Sequence, residues 1–213
     1  MNGTMDRKKN LQNLMLVNEP VLVGRYGIPL LKNETFVPET IIPFSDIRTA
    51  KSKECGVHFF IDDYRFERIW SHPGKYLNLL RQFSCIFAPD FSLYMDMPVA
   101  MKIWNVYRSR LVGLWMQKNG ICVIPTVAWA EPASYEYCFD GIEPYGTVAV
   151  STVGSKRNGY SMEMWKRGIR EMIARLLPST VLIYGEHINY NFADTKVVYY
   201  QDSILNRLHR VKK

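Results

Sequence analysis

Short apolar runs alternate with amphipathic stretches along most of this chain, from Gly56 to about residue 200. The runs "GVHFFID", "SCIFAPD", "ICVIPTVAW", "TVAVSTV" and "TVLIYGE" have the length and the β-branched and aromatic content of buried strands. About 30 residues separate one run from the next, which leaves room for a helix in between. The pattern predicts an α/β fold with a mostly parallel sheet flanked by helices, either an open sheet or an incomplete barrel.

The strongest helical pattern covers residues 97–118. Apolar residues recur there at spacings of three and four and are predicted to face the core: Ala100, Ile103, Trp104, Tyr107, Leu111, Leu114 and Trp115. Asp96 is predicted to cap the start of this helix, and Asn119-Gly120 to end it. A second amphipathic helix is predicted from Ser161 to Pro178.

The remaining segments have weaker patterns. Residues 1–55 contain short apolar runs broken by proline or glycine, which predicts an irregular segment with edge strands. The stretch "SYEYCFDG" alternates aromatic and polar residues and is predicted to form a hairpin arm. Near the C-terminus, "KVVYY" predicts one more strand, and residues 203–211 predict a final helix.

The composition suits a single domain over residues 1–213, since 47% of the residues are apolar and 13% are aromatic. The net charge of +7 is mostly in two basic tails, because residues 1–9 carry +2 and residues 204–213 carry +4. The rest of the chain therefore has a charge of only +1, which weakens the case for strong nucleic-acid binding by the body of the protein.

The sequence also predicts a cytoplasmic protein that is not embedded in a membrane. It has no run of about 18 apolar residues and no apolar segment typical of a secretory signal. The four cysteines stand apart without a Cys-x-x-Cys pair, so neither disulfides nor a structural zinc site is expected.

Polar residues follow the apolar runs at the ends where parallel α/β folds bind ligands. The carboxylates at these ends are the candidate catalytic residues: Asp62, Asp63, Asp90 and Glu186. Two facing carboxylates can serve as acid, base or nucleophile, or can hold a divalent cation such as Mg²⁺. His187, beside Glu186, is a weaker catalytic candidate.

Structural roles compete with these catalytic roles. Asp63 could cap a helix beginning at Tyr64, and Asp90 could organise the loop 90–96 through bonds to backbone N–H groups. Asp90 is the stronger functional candidate, because Asp96 is assigned to the cap of the following helix. Glu131 precedes a proline and is interpreted as a solvated surface residue.

The loop "GSKRNGYS", residues 154–161, has glycines and cations at the start of a predicted helix, which is the arrangement of an anion site. Lys156 and Arg157 are therefore candidate phosphate ligands, together with Arg108 from the long helix. A solvated helix face or buried ion pairing would explain these cations equally well. Trp129, beyond the end of its strand, is a candidate stacking platform for a base or a sugar.

Several stretches together resemble a family of bacterial and phage proteins known as domain of unknown function number 4417: "VHFFIDDYRFERIW", "PDFSLYMDMP", "YRSR", "GICVIPTVAW" and "FDGIE". The resemblance covers roughly residues 20–186. It implies carriage by phages or other mobile genetic elements, but it provides no activity and no catalytic residue.

Two functions remain open at this stage. The first is an enzyme acting on a nucleotide or nucleic-acid substrate through the strand-end carboxylates. The second is a non-enzymatic accessory factor that binds nucleic acid or a host or phage protein.

Overall fold

The computed structural model describes residues 12–153 and 159–201. Its strands are β1 (Leu22–Val23), β2 (Ile28–Pro29), β3 (Ile41–Pro43), β4 (Gly56–His58), β5 (Cys85–Phe87), β6 (Val123–Ile124), β7 (Thr147–Ser151), β8 (Thr180–Tyr184) and β9 (Lys196–Tyr200). Its α-helices are α1 (Glu67–Ser71), α2 (Leu77–Leu80), α3 (Val99–Lys118) and α4 (Gly159–Leu176). Short 3₁₀ helices cover Phe44–Asp46, Asp63–Arg65, Pro73–Lys75 and Pro132–Glu136.

The seven strands β3 to β9 pair in parallel and lie side by side in chain order. They form a four-stranded sheet, β3-β4-β5-β6, and a three-stranded sheet, β7-β8-β9. A parallel bridge between Thr126 and Ala149 connects the two sheets just beyond Pro125. Because proline has no N–H to donate, it interrupts the pairing there. The predicted α/β class with a mostly parallel sheet is confirmed.

The two sheets face each other across an apolar interior. The rings of His58 and Tyr184, from β4 and β8, lie 4.4 Å apart, and Phe60 stacks on Tyr184 at 5.3 Å. Within the described residues β9 has no strand pairing with β3, so the strands do not close into a barrel. The only antiparallel pair described is β1-β2, in the irregular N-terminal region.

Two further apolar clusters cover the outer faces of the sheets. One joins α1, α2 and the second half of α3 to the first sheet, and the other joins α4 to the second sheet. Helix α3 packs closely at Gly113, where an added Cβ would lie 3.0 Å from Leu31, which follows β2, and 3.5 Å from Ala88, which follows β5. This close approach holds the face of α3 beside the chain that follows β5.

The first half of α3 differs from its predicted orientation. Ala100 and Trp104 are exposed, whereas Lys102, Asn105, Ser109 and Arg110 are buried. The prediction that Ala100 and Trp104 face the core was therefore wrong. The reason is that neighbouring segments supply hydrogen-bond partners to the polar side chains on this face. These side chains can therefore be buried where apolar ones were expected.

Two other local predictions were wrong. Asp96 is exposed and does not cap α3, because Pro98 is at the cap position and makes no side-chain bond there. The stretch "SYEYCFDG" forms a 3₁₀ helix and turns instead of a hairpin, with its aromatic rings packed in the core. The predicted final helix at 203–211 lies outside the described residues. No helix within the described ranges is long and apolar enough to cross a membrane.

Candidate active site

A narrow cleft lies between α3 and the segments that follow β5 and β6. The cleft lies at the carboxyl ends of these strands. Apolar and polar residues both line it: Pro89, Asp90, Phe91, Leu93, Asn105, Val106, Ser109, Arg110, Thr126 and Ala128. The free space inside is enough for about one water molecule. A cleft at this edge of a parallel sheet has the position expected for a ligand site.

Asp90 is the carboxylate inside this cleft. The residue is half-buried, and it lines the cleft together with apolar side chains. Burial raises the pKa of Asp90 to about 7, with a further increase from the negative charge of Asp63, while the positive charge of Arg110 opposes both. Among the described residues no donor makes a hydrogen bond to this carboxyl group. Asp90 can therefore gain and lose a proton near neutral pH.

Asp63 lies at the same edge of the sheet and fixes the loop after Asp90. Its carboxylate accepts hydrogen bonds from the Ser92 hydroxyl at 2.7 Å and from the Ser92 backbone N–H at 3.1 Å. The 3₁₀ helix that begins at Asp63 has no side-chain cap bond. Asp63 therefore acts as a link between the ends of β4 and β5 and does not cap a helix.

Arg110 is a buried positive charge in the wall of the cleft. It is 2% exposed and donates hydrogen bonds to the backbone carbonyls of Thr126, Cys138 and Asp140, and to the Ser109 hydroxyl. Burial lowers the pKa of Arg110 to about 10, although nearby negative groups, including Asp90, oppose that change. Arg110 therefore remains charged at neutral pH without any ion pair within 4.0 Å in the described residues.

The guanidinium of Arg108 is held by protein partners. It donates to Glu67 at 2.7 Å and to Asn105 at 2.7 Å, and it lies 3.8 Å above the ring of Phe91. Asn105 in turn donates to the Ser92 carbonyl. Arg108, predicted to bind phosphate, thus lies in a chain of contacts that fixes the loop beside Asp90.

Lys102 and Glu131 form an ion pair beside the cleft. The Lys102 Nζ lies 2.7 Å from both carboxylate oxygens of Glu131, and the side chains are 2% and 29% exposed. Burial alone would raise the pKa of Glu131, but the hydrogen bonds and charge of Lys102 outweigh it and hold that pKa below its ordinary value. Glu131 is therefore not the solvated surface residue that the sequence suggested.

The other predicted site residues lie in different surroundings. Asp62 and Glu186 are both exposed at their strand ends. Trp129 is half-buried, packs against Gly168 and lies 6.2 Å from each of Phe139 and Trp165. The structure thus brings Asp63 and Asp90 together. Lys156 and Arg157 lie outside the described residues.

Within the described residues, none of the histidines His58, His72 and His187 lines the cleft. Burial lowers the pKa of His58 to about 3, and its Nδ1 accepts a hydrogen bond from the Phe60 N–H at 3.2 Å. His187 is exposed and lies against Tyr199. Within residues 12–153 and 159–201, no three carboxylate, histidine or cysteine groups are close enough together to hold a metal ion.

The sequence-based interpretation missed several residues that shape the cleft: Ser92, Lys102, Asn105, Ser109, Arg110 and Thr126. Four of them lie on α3, at positions 102, 105, 109 and 110. That spacing of three and four was visible in the sequence as a polar stripe. The stripe alone did not indicate a buried wall, because polar stripes on amphipathic helices normally face water.

Comparison with known proteins gives the chain its family. The model of a family described as "Domain of unknown function (DUF4417)" matches residues 21–201. The chain belongs to this family. The resemblance seen in the sequence is thereby confirmed, and the DUF4417 description assigns no activity.

Two phage relatives share much of this DUF4417 chain. "Gene 1 protein" of Mycobacterium phage L5 is 42% identical over 187 residues, which cover 86% of this chain and 81% of the phage protein. "Gene 1 protein" of Mycobacterium phage D29 is 40% identical over 163 residues, 75% of this chain and 60% of the phage protein. The match therefore spans less than two thirds of the D29 protein. No solved structure matches the chain.

Proposed function

We propose that this chain is an enzyme acting on a nucleotide or nucleic-acid substrate, with Asp90 as its general acid and base. The observation that carries the proposal is the state of this one carboxyl group. It lies in a cleft at the carboxyl ends of parallel strands, makes no hydrogen bond within the described residues, and has a pKa raised to about 7. General acid–base catalysis is most effective when the pKa of the group is near the working pH.

The neighbours of Asp90 have distinct roles in this proposal. Asp63 is a positioning residue, since Ser92 occupies its carboxylate and its negative charge helps to keep Asp90 protonated. Arg110 supplies a fixed positive charge to stabilise negative charge that develops on the substrate. Asp62 and Glu186 follow β4 and β8 and are exposed, and the proposal assigns them contacts with parts of a substrate outside the cleft.

The substrate class rests on charge and on kinship with phage proteins. Most of the net charge of +7 is in the two basic tails, and the cations Lys156 and Arg157 precede α4, where a phosphate group would also gain from helix N–H groups. A divalent cation such as Mg²⁺ would enter with the substrate, because Mg²⁺ is commonly held by one or two carboxylates together with substrate phosphates. Stacking of a base on Trp129 belongs to the same proposal.

The test is a substrate panel with matched variants. Nucleoside phosphates and single- and double-stranded oligonucleotides are incubated with the full chain, with Mg²⁺ or with a chelator, and products are identified by mass spectrometry. Turnover is expected for the wild type and for Asp96→Asn, an exposed carboxylate outside the cleft, with a loss of at least about 100-fold for Asp90→Asn. Equal turnover by Asp90→Asn, or no turnover of any substrate, would refute the proposal.

A second candidate function is a non-enzymatic accessory factor that binds nucleic acid or a host protein. Its support is a group of exposed apolar side chains close together in sequence, between β5 and the first turns of α3: Tyr94, Met95, Val99 and Met101. Exposed apolar residues that cluster in this way are typical of interaction surfaces. Oligonucleotide retention without turnover, with an affinity that falls steeply as salt is raised, would favour this function.

A further inference from the structure

The cleft beside Asp90 has room for about one water molecule, and three of the polar side chains that line it have hydrogen-bonding capacity left over. These side chains come from three different segments: Asp90 follows β5, Ser109 is on α3 and Thr126 follows β6. A water molecule held by a protein makes about three hydrogen bonds to otherwise unsatisfied groups. The free donors and acceptors of these three residues therefore decide whether the cleft can hold one.

Ser109 supplies a free donor. Its side chain is 6% exposed, and its hydroxyl oxygen accepts a hydrogen bond from Arg110 Nη1 at 3.2 Å. Serine in a helix often donates its hydroxyl proton to the carbonyl four residues earlier, which here belongs to Asn105. Ser109 makes no such bond, and its proton has no acceptor among the residues that the structure describes. Because a buried donor without a partner costs free energy, we expect an acceptor inside the cleft.

Thr126 and Asp90 supply free acceptors. Thr126 Oγ1 donates its proton to the Ala88 carbonyl at 2.7 Å and accepts no hydrogen bond within the described ranges, so its lone pairs are available. The carboxyl group of Asp90 is likewise without a donor there. A water molecule in the cleft can donate its two protons to Asp90 and Thr126 and accept one from Ser109. Its second lone pair then remains free.

We propose that the cleft holds one water molecule between Asp90, Ser109 and Thr126, and that this water is the nucleophile in the hydrolysis of a phosphate ester. The inference rests on the proposed function of Asp90 and specifies the reaction class, which that function leaves open. The half-buried position of Asp90 leaves the cleft open to solvent on one side, where a phosphate ester can approach the free lone pair. A space for one water excludes a larger acceptor, such as a sugar hydroxyl.

The reaction then follows from the contacts of this water. The Asp90 carboxylate takes one proton from the water, and the water oxygen forms a bond to phosphorus. The bond between phosphorus and the ester oxygen breaks, and the leaving oxygen keeps the electron pair and takes a proton from solvent. Arg110 has one N–H group without an acceptor in the described part of the chain, which can bind a phosphoryl oxygen. Ser109 is a positioning residue, because it orients the water without reacting.

The first test follows the oxygen atom. Nucleoside phosphates and oligonucleotides are incubated with the full chain in ¹⁸O-enriched water, and the products are analysed by mass spectrometry. Each turnover should place one oxygen from water in the phosphate product. Turnover that is lost in Asp90→Asn but brings no ¹⁸O into the product would overturn the inference and leave the proposed function standing.

The second test removes the donor to the water. Ser109→Ala should lower kcat about tenfold with KM unchanged, because the water loses one orienting hydrogen bond while the contacts of the substrate remain. The matched control is Ser71→Ala, which removes an exposed hydroxyl that bonds to the Glu67 carbonyl of its own helix, and both constants should stay unchanged. A kcat for Ser109→Ala within about twofold of the wild type would overturn the inference, even with ¹⁸O in the product.

A crystal structure of the free protein, grown above pH 7 where Asp90 is mostly ionised, tests the site without a substrate. One ordered water should lie within about 3.2 Å of the Asp90 carboxylate, Ser109 Oγ and Thr126 Oγ1. A cleft in which no water contacts both Asp90 and Ser109 would overturn the inference, whatever the turnover assays show. If this water is in place but no substrate is turned over, the proposed function is refuted, and the nucleophilic role of the water with it.

Discussion

Replacing Asp90 by asparagine should stabilise the protein, and the gain should grow as the pH rises. In the folded chain the pKa of Asp90 is about 7, chiefly because the carboxyl group is buried, whereas its ordinary value is 3.8. Between these two values the unfolded chain releases this proton and the folded chain retains it. The stability associated with protonated Asp90 is fully present below pH 3.8 and is lost as the pH rises through 7. Asparagine remains neutral throughout.

The size of the effect follows from the same two values. The difference between the pKa values 3.8 and about 7, at about 1.4 kcal/mol for each pH unit, corresponds to a loss of about 4 kcal/mol in the free energy of unfolding above pH 7. Part of this cost is already present at pH 5. Because part of Asp90 is exposed, screening by solvent makes the loss between pH 5 and pH 8 smaller than this calculation gives. We therefore expect the advantage of Asp90→Asn over the wild type to increase by about 2 kcal/mol between pH 5 and pH 8.

Urea unfolding of both chains at pH 5, 6, 7 and 8 measures this difference directly. Asp96→Asn, which removes an exposed carboxylate, controls for the loss of one negative charge. The difference between Asp90→Asn and the wild type isolates this group from every other titrating residue. A difference that stays constant from pH 5 to pH 8, or that falls, would refute a raised pKa at Asp90.

Three further changes test the surroundings of the cleft. Asp63→Asn removes the like charge beside Asp90 and should lower the pKa of Asp90 in a ¹³C NMR titration; an unchanged or higher pKa contradicts this account. Glu131→Gln leaves Lys102 buried without its ion-pair partner, so urea unfolding should show a loss of about 2–4 kcal/mol, and a negligible loss contradicts the pairing. Gly168→Ala puts a methyl group where the indole of Trp129 packs, so the free energy of unfolding should fall by about 1–3 kcal/mol and the tryptophan fluorescence should shift. If neither change occurs, the contact between Gly168 and Trp129 is contradicted.

The sequence was sufficient for the mostly parallel α/β class and for the position of Asp90 after a buried strand. Buried parallel strands are apolar on both faces, so runs such as "TVLIY" stand out against the amphipathic helices between them. Asp90 was selected because a carboxylate that follows a buried strand lies at the edge of the sheet where parallel α/β folds generally bind ligands. Both conclusions depend on local pattern, which one sequence contains in full.

The sequence was not sufficient for the polar wall of the cleft. Arg110 and Lys102 are charged, and the cost of burying a charge predicts an exposed position for each. Arg110 is nevertheless buried, because three backbone carbonyls and a hydroxyl accept its N–H groups. Those acceptors come from segments up to 30 residues away in the chain, and their arrangement is a property of the fold.

The rate of turnover as a function of pH tests the central claim most directly, using the first nucleotide or oligonucleotide that the wild type converts. If Asp90 is the acid–base group, kcat/KM should change around pH 7, and Asp63→Asn should move that change to lower pH. Asp90→Asn should lower the rate at least about 100-fold. A profile for Asp90→Asn that matches the wild type in both rate and shape would contradict the claim.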